Sequence, residues 1–210
     1  LLSGLNGRIK GQPNWDGAFG FPLCANEVRG AFRSGQGLCI GRFRGGFQPD
    51  TEDSTPAGCK TLLLLGPHEP DFWSLFQQSP EYLDDQPNPL DRWSERVISA
   101  LANDFGADPI FPFGEPPFAP FFSGALRTNR IFESPLRLLV HDQNGLLVSF
   151  RGALACSVHI DLPSAPAPPC QSCHAPCKTA CPVNSFINGF YNVIGCKTHI
   201  KDPGLDTANC

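Results

Sequence analysis

Between residues 61 and 106 the chain switches from an unbroken apolar run to a run with helical period. Thr61-Leu62-Leu63-Leu64-Leu65 shows no alternation, the pattern of a strand buried on both faces, and Gly66-Pro67 ends it, so a mid-sheet position is expected. Upstream, Leu38-Cys39-Ile40 predicts a shorter strand, separated from the first by Gly45-Gly46 and the polar loop from Pro49 to Gly58. Downstream, Leu90, Trp93, Val97, Leu101 and Phe105 recur on one helical stripe. Asn88 suits the N-cap, Pro89 the first helical position and Gly106 the left-handed stop, which predicts a helix over 89–105 with Trp93 in the core.

The later elements are shorter. Pro109-Ile110-Phe111-Pro112-Phe113 predicts an edge strand, because its prolines cannot donate to a central ladder. Leu136 to Asp142 and Leu146 to Phe150, joined through Gln143-Asn144-Gly145, predict a tight hairpin. Leu162-Pro163-Ser164-Ala165-Pro166-Ala167-Pro168-Pro169 predicts a stiff, extended linker and a boundary near residue 160. Residues 1–36, rich in Gly, Asn and Arg, predict loops with one short helix from Ala25 to Arg33. The expected division is a loop-rich segment at 1–36, an α+β domain at 37–160 and a small lobe at 161–210.

Composition narrows the class. In 210 residues, 41% hydrophobic content is enough for one core of ordinary size plus an appended module. A net charge of −4 argues against a broad nucleic-acid surface, and Arg29, Arg33, Arg42 and Arg44 read as solvated arginines on a helix and a strand. No apolar run approaches the roughly 20 residues that span a bilayer, so no membrane partner is expected. The start Leu1-Leu2-Ser3-Gly4-Leu5-Asn6-Gly7 lacks a basic region followed by a sustained apolar one, which predicts reduced thiols in a cytoplasm. The absence of methionine is what modified methionines left out of the sequence, or a piece of a longer protein, would give.

The chemistry concentrates at residues 170–182. Cys170, Cys173, Cys177 and Cys181 follow the spacing C-x2-C-x3-C-x3-C, and Pro182 comes next. Thiols this close cannot all pair as disulfides without strain, and the run is one residue longer than the C-x2-C-x2-C-x3-C-P of bacterial ferredoxins, whose thiolates hold a 4Fe-4S cluster. Zinc is the alternative, with His174 as a nitrogen donor, but zinc sites separate two ligand pairs by a longer finger. In two-cluster proteins the thiolate before the proline serves the other cluster. Cys181 with Cys196 and Cys210 would then supply three ligands of a second cubane, and two cubanes need two thiols more than this region holds. A truncated sequence with two clusters and a single cluster with a mixed cysteine set both stay open.

The order of elements, the phrase Ser149-Phe150-Arg151-Gly152-Ala153-Leu154, the cysteine run and Cys196-Lys197-Thr198-His199-Ile200 resemble the epoxyqueuosine reductase group. They resemble more closely a set of proteobacterial proteins described as 4Fe-4S ferredoxins. The resemblance spans about residues 37–210, with short matching phrases at 62–70 and 138–142. In the reductases a first domain binds cobalamin, a second holds two 4Fe-4S clusters, and electrons pass from clusters to corrinoid to a tRNA base. The resemblance implies a small mixed sheet with packed helices, of corrinoid- or flavin-reductase-like type, followed by a ferredoxin-like 4Fe-4S lobe. It also implies that Cys181, Cys196 and Cys210 are second-cluster ligands and that two further cysteines follow. Glu115 stands nearest the reductases' acidic proton donor, among Phe111, Phe113 and Phe118, where an apolar setting would raise its pKa. The Gly-rich phrase and lysine that follow in the reductases are replaced by residues 128–134.

Elsewhere, His68 follows a strand end, His141-Asp142 lies at the hairpin turn, and His159 and His199 have no metal-ligand companions beyond the cysteines. Cys24, Cys39, Cys59 and Cys156 read as small apolar residues. Gly35-Gln36-Gly37-Leu38-Cys39-Ile40-Gly41 is one residue off the dinucleotide fingerprint and precedes a strand. The expected function is electron transfer through one or two 4Fe-4S clusters, fed by a redox partner protein or small electron donor, to a centre held by the first domain. A cobalamin-dependent reductase using Glu115 and a zinc-bound interaction module are the alternatives.

Overall fold

The computed structural model describes residues 41–51, 53–67, 71–146, 148–162, 164–187 and 190–202. The helix expected at Ala25 to Arg33, the strand at Leu38-Cys39-Ile40, the near-fingerprint glycines Gly35 and Gly37, and Cys24, His68 and Cys210 lie outside the described residues.

Four strands form the main sheet: β1 (Gly41–Phe47), β2 (Thr61–Pro67), β3 (Asp108–Ile110) and β6 (Gly152–Cys156), in the order β1-β2-β6-β3. Every pairing is antiparallel, where the family resemblance implied a mixed sheet. β2 has a neighbour on each side and is buried along its whole length, as its unbroken leucines required. Leu63 and Leu65 point to one face with Leu154 and Cys156 of β6, while Leu62 and Leu64 point to the other with Ala153 and Ala155.

On the first face lies α3 (Pro89–Phe105), bounded as the sequence predicts. Trp93, Val97, Ile98, Leu101 and Ala102 are buried, and Trp93 meets the rings of Phe72 and Phe76 edge-on from α1 (Asp71–Phe76). Gly106 ends the helix with φ of 62°, its N–H turned back to the carbonyls of Ala102 and Asn103. Asn88 caps differently from expectation: it adopts a left-handed φ of 53° and its side chain makes no cap bond. A short helix, α2 (Pro80–Leu83), packs on the outside of α3 and is capped by Ser79 Oγ accepting from the Tyr82 N–H.

The second face is covered by α4 (Phe121–Leu126) and a two-stranded ribbon of β4 (Ile131–Glu133) and β5 (Leu139–His141). This ribbon corrects the hairpin expected at 136–150. The Gln143-Asn144-Gly145 turn does form, with His141 and Gly145 exchanging both backbone bonds at 2.8 and 2.9 Å. Among the described residues of the arm beyond it, none pairs with β5. β5 already faces β4, and the following chain carries Arg151 across to α3, where its guanidinium bonds Ser94 Oγ at 3.0 Å and the Asp91 carboxylate.

Arg44 corrects a second expectation. It is 2% exposed and donates to the Pro67 carbonyl at 2.6 Å, so it is a buried strut of the sheet and not a solvated arginine. Beyond β6 the chain stays pinned to β2: Thr61 Oγ1 donates to Val158 O at 3.0 Å and accepts from Ile160 N at 2.9 Å. Residues 164–167 then run exposed toward the cysteines. Among the described residues no helix is long and apolar enough to cross a membrane.

Candidate metal centre

The cysteine region is built from turns. A single 3-10 turn, Pro176–Lys178, holds Cys177 between two of the other thiols, entered through Ala175 at a left-handed φ of 54°. A two-stranded hairpin follows, β7 (Phe186–Ile187) with β8 (Phe190–Tyr191), and then α5 (Val193–Ile200), capped by Asn192 Oδ1 accepting from Gly195 N at 2.9 Å. Tyr191 stacks on Phe186 with ring centroids 4.8 Å apart, yet this aromatic pair buries little. Of the described residues from 164 to 202, Ser185 alone is buried. The segment has the turns and caps of an ordered structure and, among its described residues, no apolar core.

Cys170, Cys173, Cys177, Cys181 and Cys196 are all free thiols, four of them half-buried and Cys173 exposed. Two accept backbone hydrogen bonds at sulfur, from Ala175 N to Cys173 Sγ at 3.3 Å and from Ser185 N to Cys181 Sγ at 3.2 Å. The Ser185 amide, joined by those of Val183 and Asn184, holds the Cys181 thiol below its ordinary pKa. Asn184 adopts φ of 48° to turn these donors inward, and successive amides directed at one point form an anion nest. The Ser185 hydroxyl is fully buried with no completed hydrogen bond, and its nearness to the Cys181 sulfur also favours the thiolate.

The thiols do not converge on one another: among the described residues no three His, Cys, Asp or Glu side chains form a group that would hold a metal ion. What fits a metal is the donor chemistry. The sulfurs of Cys173 and Cys181 already accept backbone N–H donors, as metal-bound thiolates do. The nest at residues 183–185 was missed in the sequence, although Pro182 after Cys181 and the turn-forming Asn184 mark it.

Other candidates separate clearly. Glu115 is exposed, in a loop of exposed residues 114–118, so the apolar surroundings that an acid role requires are not around it. His174 is exposed and His159 only approaches Asp161 at 3.6 Å. Cys156 is buried in the sheet, where desolvation pushes its thiol up to about 12, and burial likewise raises Cys59. A cleft between α4 and the Leu62/Leu64 face of β2 is lined by Phe47, Ile110 and Phe121, and its Asp53 is already paired with Arg127 at 2.5 Å.

His141 is structural. It is 3% exposed, its Nδ1 accepts from Gln143 N at 3.1 Å and Asn144 N at 3.3 Å, and its Nε2 lies 3.1 Å from the Arg44 carbonyl, which fixes the proton on Nε2. Desolvation depresses its pKa to about 4, against the opposing pull of Asp142 and with the help of Arg130 and Arg44. The turn is thus closed by the imidazole, not by the Asp142 side chain, whose Oδ2 pairs with Arg130 at 2.8 Å. Compared with protein-family models, with curated proteins and with solved structures, the chain matches none.

Proposed function

We propose that the protein is an iron-sulfur electron carrier in which Cys170, Cys173, Cys177, Cys181 and Cys196, together with Cys210, hold one or two 4Fe-4S clusters. One observation carries this reading: residues 164–202 are arranged in turns, a hairpin and a helix while, among the described residues, burying Ser185 alone. Apolar burial at about 25 cal/mol per Å2 is the usual source of stability, and a segment without it requires another. Metal coordination supplies that energy in small modules, where binding and folding are one equilibrium.

A bound cluster supplies one-electron chemistry at a potential set by its charge, burial and hydrogen bonds to sulfur. The residues' part is to provide thiolates, to neutralise them and to limit water. The amides of Val183, Asn184 and Ser185 favour the Cys181 thiolate over the thiol, and N–H donors at sulfur favour the more negative, reduced state. The electron's further destination is a redox centre or substrate at the α+β domain. The exposure of Glu115 gives the cobalamin-reductase alternative no support, so electron transfer is carried forward.

The test is anaerobic purification of the full chain with iron, acid-labile sulfide and zinc analysis. About four or eight irons with equal sulfide, as cubane stoichiometry requires, and visible absorption that bleaches with dithionite are expected. A colourless protein carrying zinc or no metal would overturn the reading.

A further inference from the structure

Helix α5 is inverted relative to an ordinary surface helix. At about 100° per residue, Val193, Ile194, Lys197, Ile200 and the C-cap Lys201 share one side, and Gly195, Cys196 and His199 share the other. The aliphatic side is the exposed one, with Ile194 at 80% and Val193 at 55%, whereas Gly195, Cys196 and His199 are all half-buried. Helices normally turn aliphatic residues inward because burial stabilises them. Here the inward side presents a thiol and an imidazole three residues apart, which makes them neighbours on one face.

His199 Nε2 is screened from solvent and has no hydrogen-bond partner. An unsatisfied buried polar atom is unfavourable, and such a nitrogen is satisfied by a donor, by water or by a metal ion. The Ser185 hydroxyl at the Cys181 turn is also fully buried, beside the Cys181 sulfur. The two stretches are tied together: Asn192 N donates to Ser185 O at 2.7 Å, and Cys196 N donates to Asn192 O at 3.1 Å. Both buried polar atoms therefore belong to the piece of chain that runs from Cys181 to His199.

We propose that His199 is itself a ligand to iron, donating the Nε2 lone pair to the same cluster that Cys196 serves. The inference rests on the iron-sulfur reading and adds a nitrogen to its donor set. The ring keeps its proton on Nδ1 and binds as a neutral group, so the site carries one negative charge fewer than an all-thiolate site. Imidazole in place of thiolate raises the reduction potential of an iron-sulfur centre.

The experiment uses the full chain, reconstituted anaerobically with ferrous iron and sulfide and reduced with dithionite. Pulsed EPR on natural-abundance protein and on protein labelled with 15N-histidine reads nitrogen coupled to the cluster spin. The expected result is a histidine nitrogen coupling in the wild type that disappears in His199→Cys, with iron retained and the midpoint potential lowered. Wild-type protein with no iron at all overturns the iron-sulfur reading, and this inference with it. A wild-type cluster without histidine nitrogen coupling, or a coupling that persists in His199→Cys, overturns the ligand assignment alone. The wild-type measurement stands even where the variant fails to fold.

Discussion

The amide of Ser185 donates to the sulfur of Cys181 at 3.2 Å, across a turn of four residues opened by Pro182. Only a substitution that removes the N–H breaks this bond. Ser185→Pro is expected to weaken iron retention by about 10- to 100-fold, the usual cost of losing a group that supports a metal ligand. Ser185→Ala, which keeps the N–H, is expected to cost less. Titration with a chromogenic iron chelator reads both, and equal retention in the two variants would remove the amide from any role.

Metal removal should act on one part of the chain. Stripping iron is expected to release amide-exchange protection across residues 170–202, where Ser185 alone of the described residues is buried, while β2, β6 and α3 exchange as before. Hydrogen exchange with mass spectrometry checks this, and unchanged protection at 170–202 would show that the segment orders without metal.

His141 predicts an acid weakness. Its folded pKa of about 4 lies below the ordinary 6.5, so the unfolded state takes up the proton first and stability falls as pH drops from 6.5 toward 4. The loss is on the order of 2–3 kcal/mol, because burial disfavours the charged imidazolium, with Arg130 and Arg44 adding to it and Asp142 opposing. Denaturant midpoints across that range should slope steeply in the wild type and less in His141→Gln. Parallel slopes would exonerate the histidine.

The thiols should divide by reactivity. Cys156, buried and pushed up to about 12, is expected to resist iodoacetamide in the native metal-free protein, whereas the exposed Cys173 is alkylated readily. Peptide mapping before and after denaturation gives the comparison, and native labelling of Cys156 would contradict its burial in the sheet.

Two substitutions in α3 separate packing from backbone effects. Leu101 is 0% exposed between helix and sheet, and Leu101→Ala should cost about 2–5 kcal/mol. Gly106→Ala meets no atom within 4 Å and changes only the cost of its φ of 62°, about 1 kcal/mol. Thermal or urea unfolding ranks the two, and a reversed order would place the helix differently.

Legibility followed how local the controlling physics was. Helix α3 was readable to both ends because Pro89, Gly106 and the stripe between them each act within one or two turns. The same holds for β2, whose leucines leave it nowhere to lie except mid-sheet. The hairpin at 136–150 misled because Asn144-Gly145 specifies a turn and says nothing of which strand pairs with the arms; β4, from Ile131 to Glu133, took β5 instead. β6 was hidden because Gly-Ala-Leu-Ala-Cys has few strand-forming side chains, and its small residues are there for close packing: a Cβ on Gly152 would lie 2.7 Å from Ile98 Cδ1. At the candidate centre the spacing of the thiols was visible in the sequence. The amide nest at Cys181 and the inward histidine of α5 were not, since both depend on which way short turns face.

Pro109 has a consequence for how copies of this chain behave when crowded together. It sits on the outermost strand, paired on one side with Leu154, and has no hydrogen to offer on the other. An incoming strand would find a three-residue rim with a missing rung, and the carboxylate of Asp108 beside it. That rim of the sheet is a poor template for fibril growth, a protection built from a single imino acid.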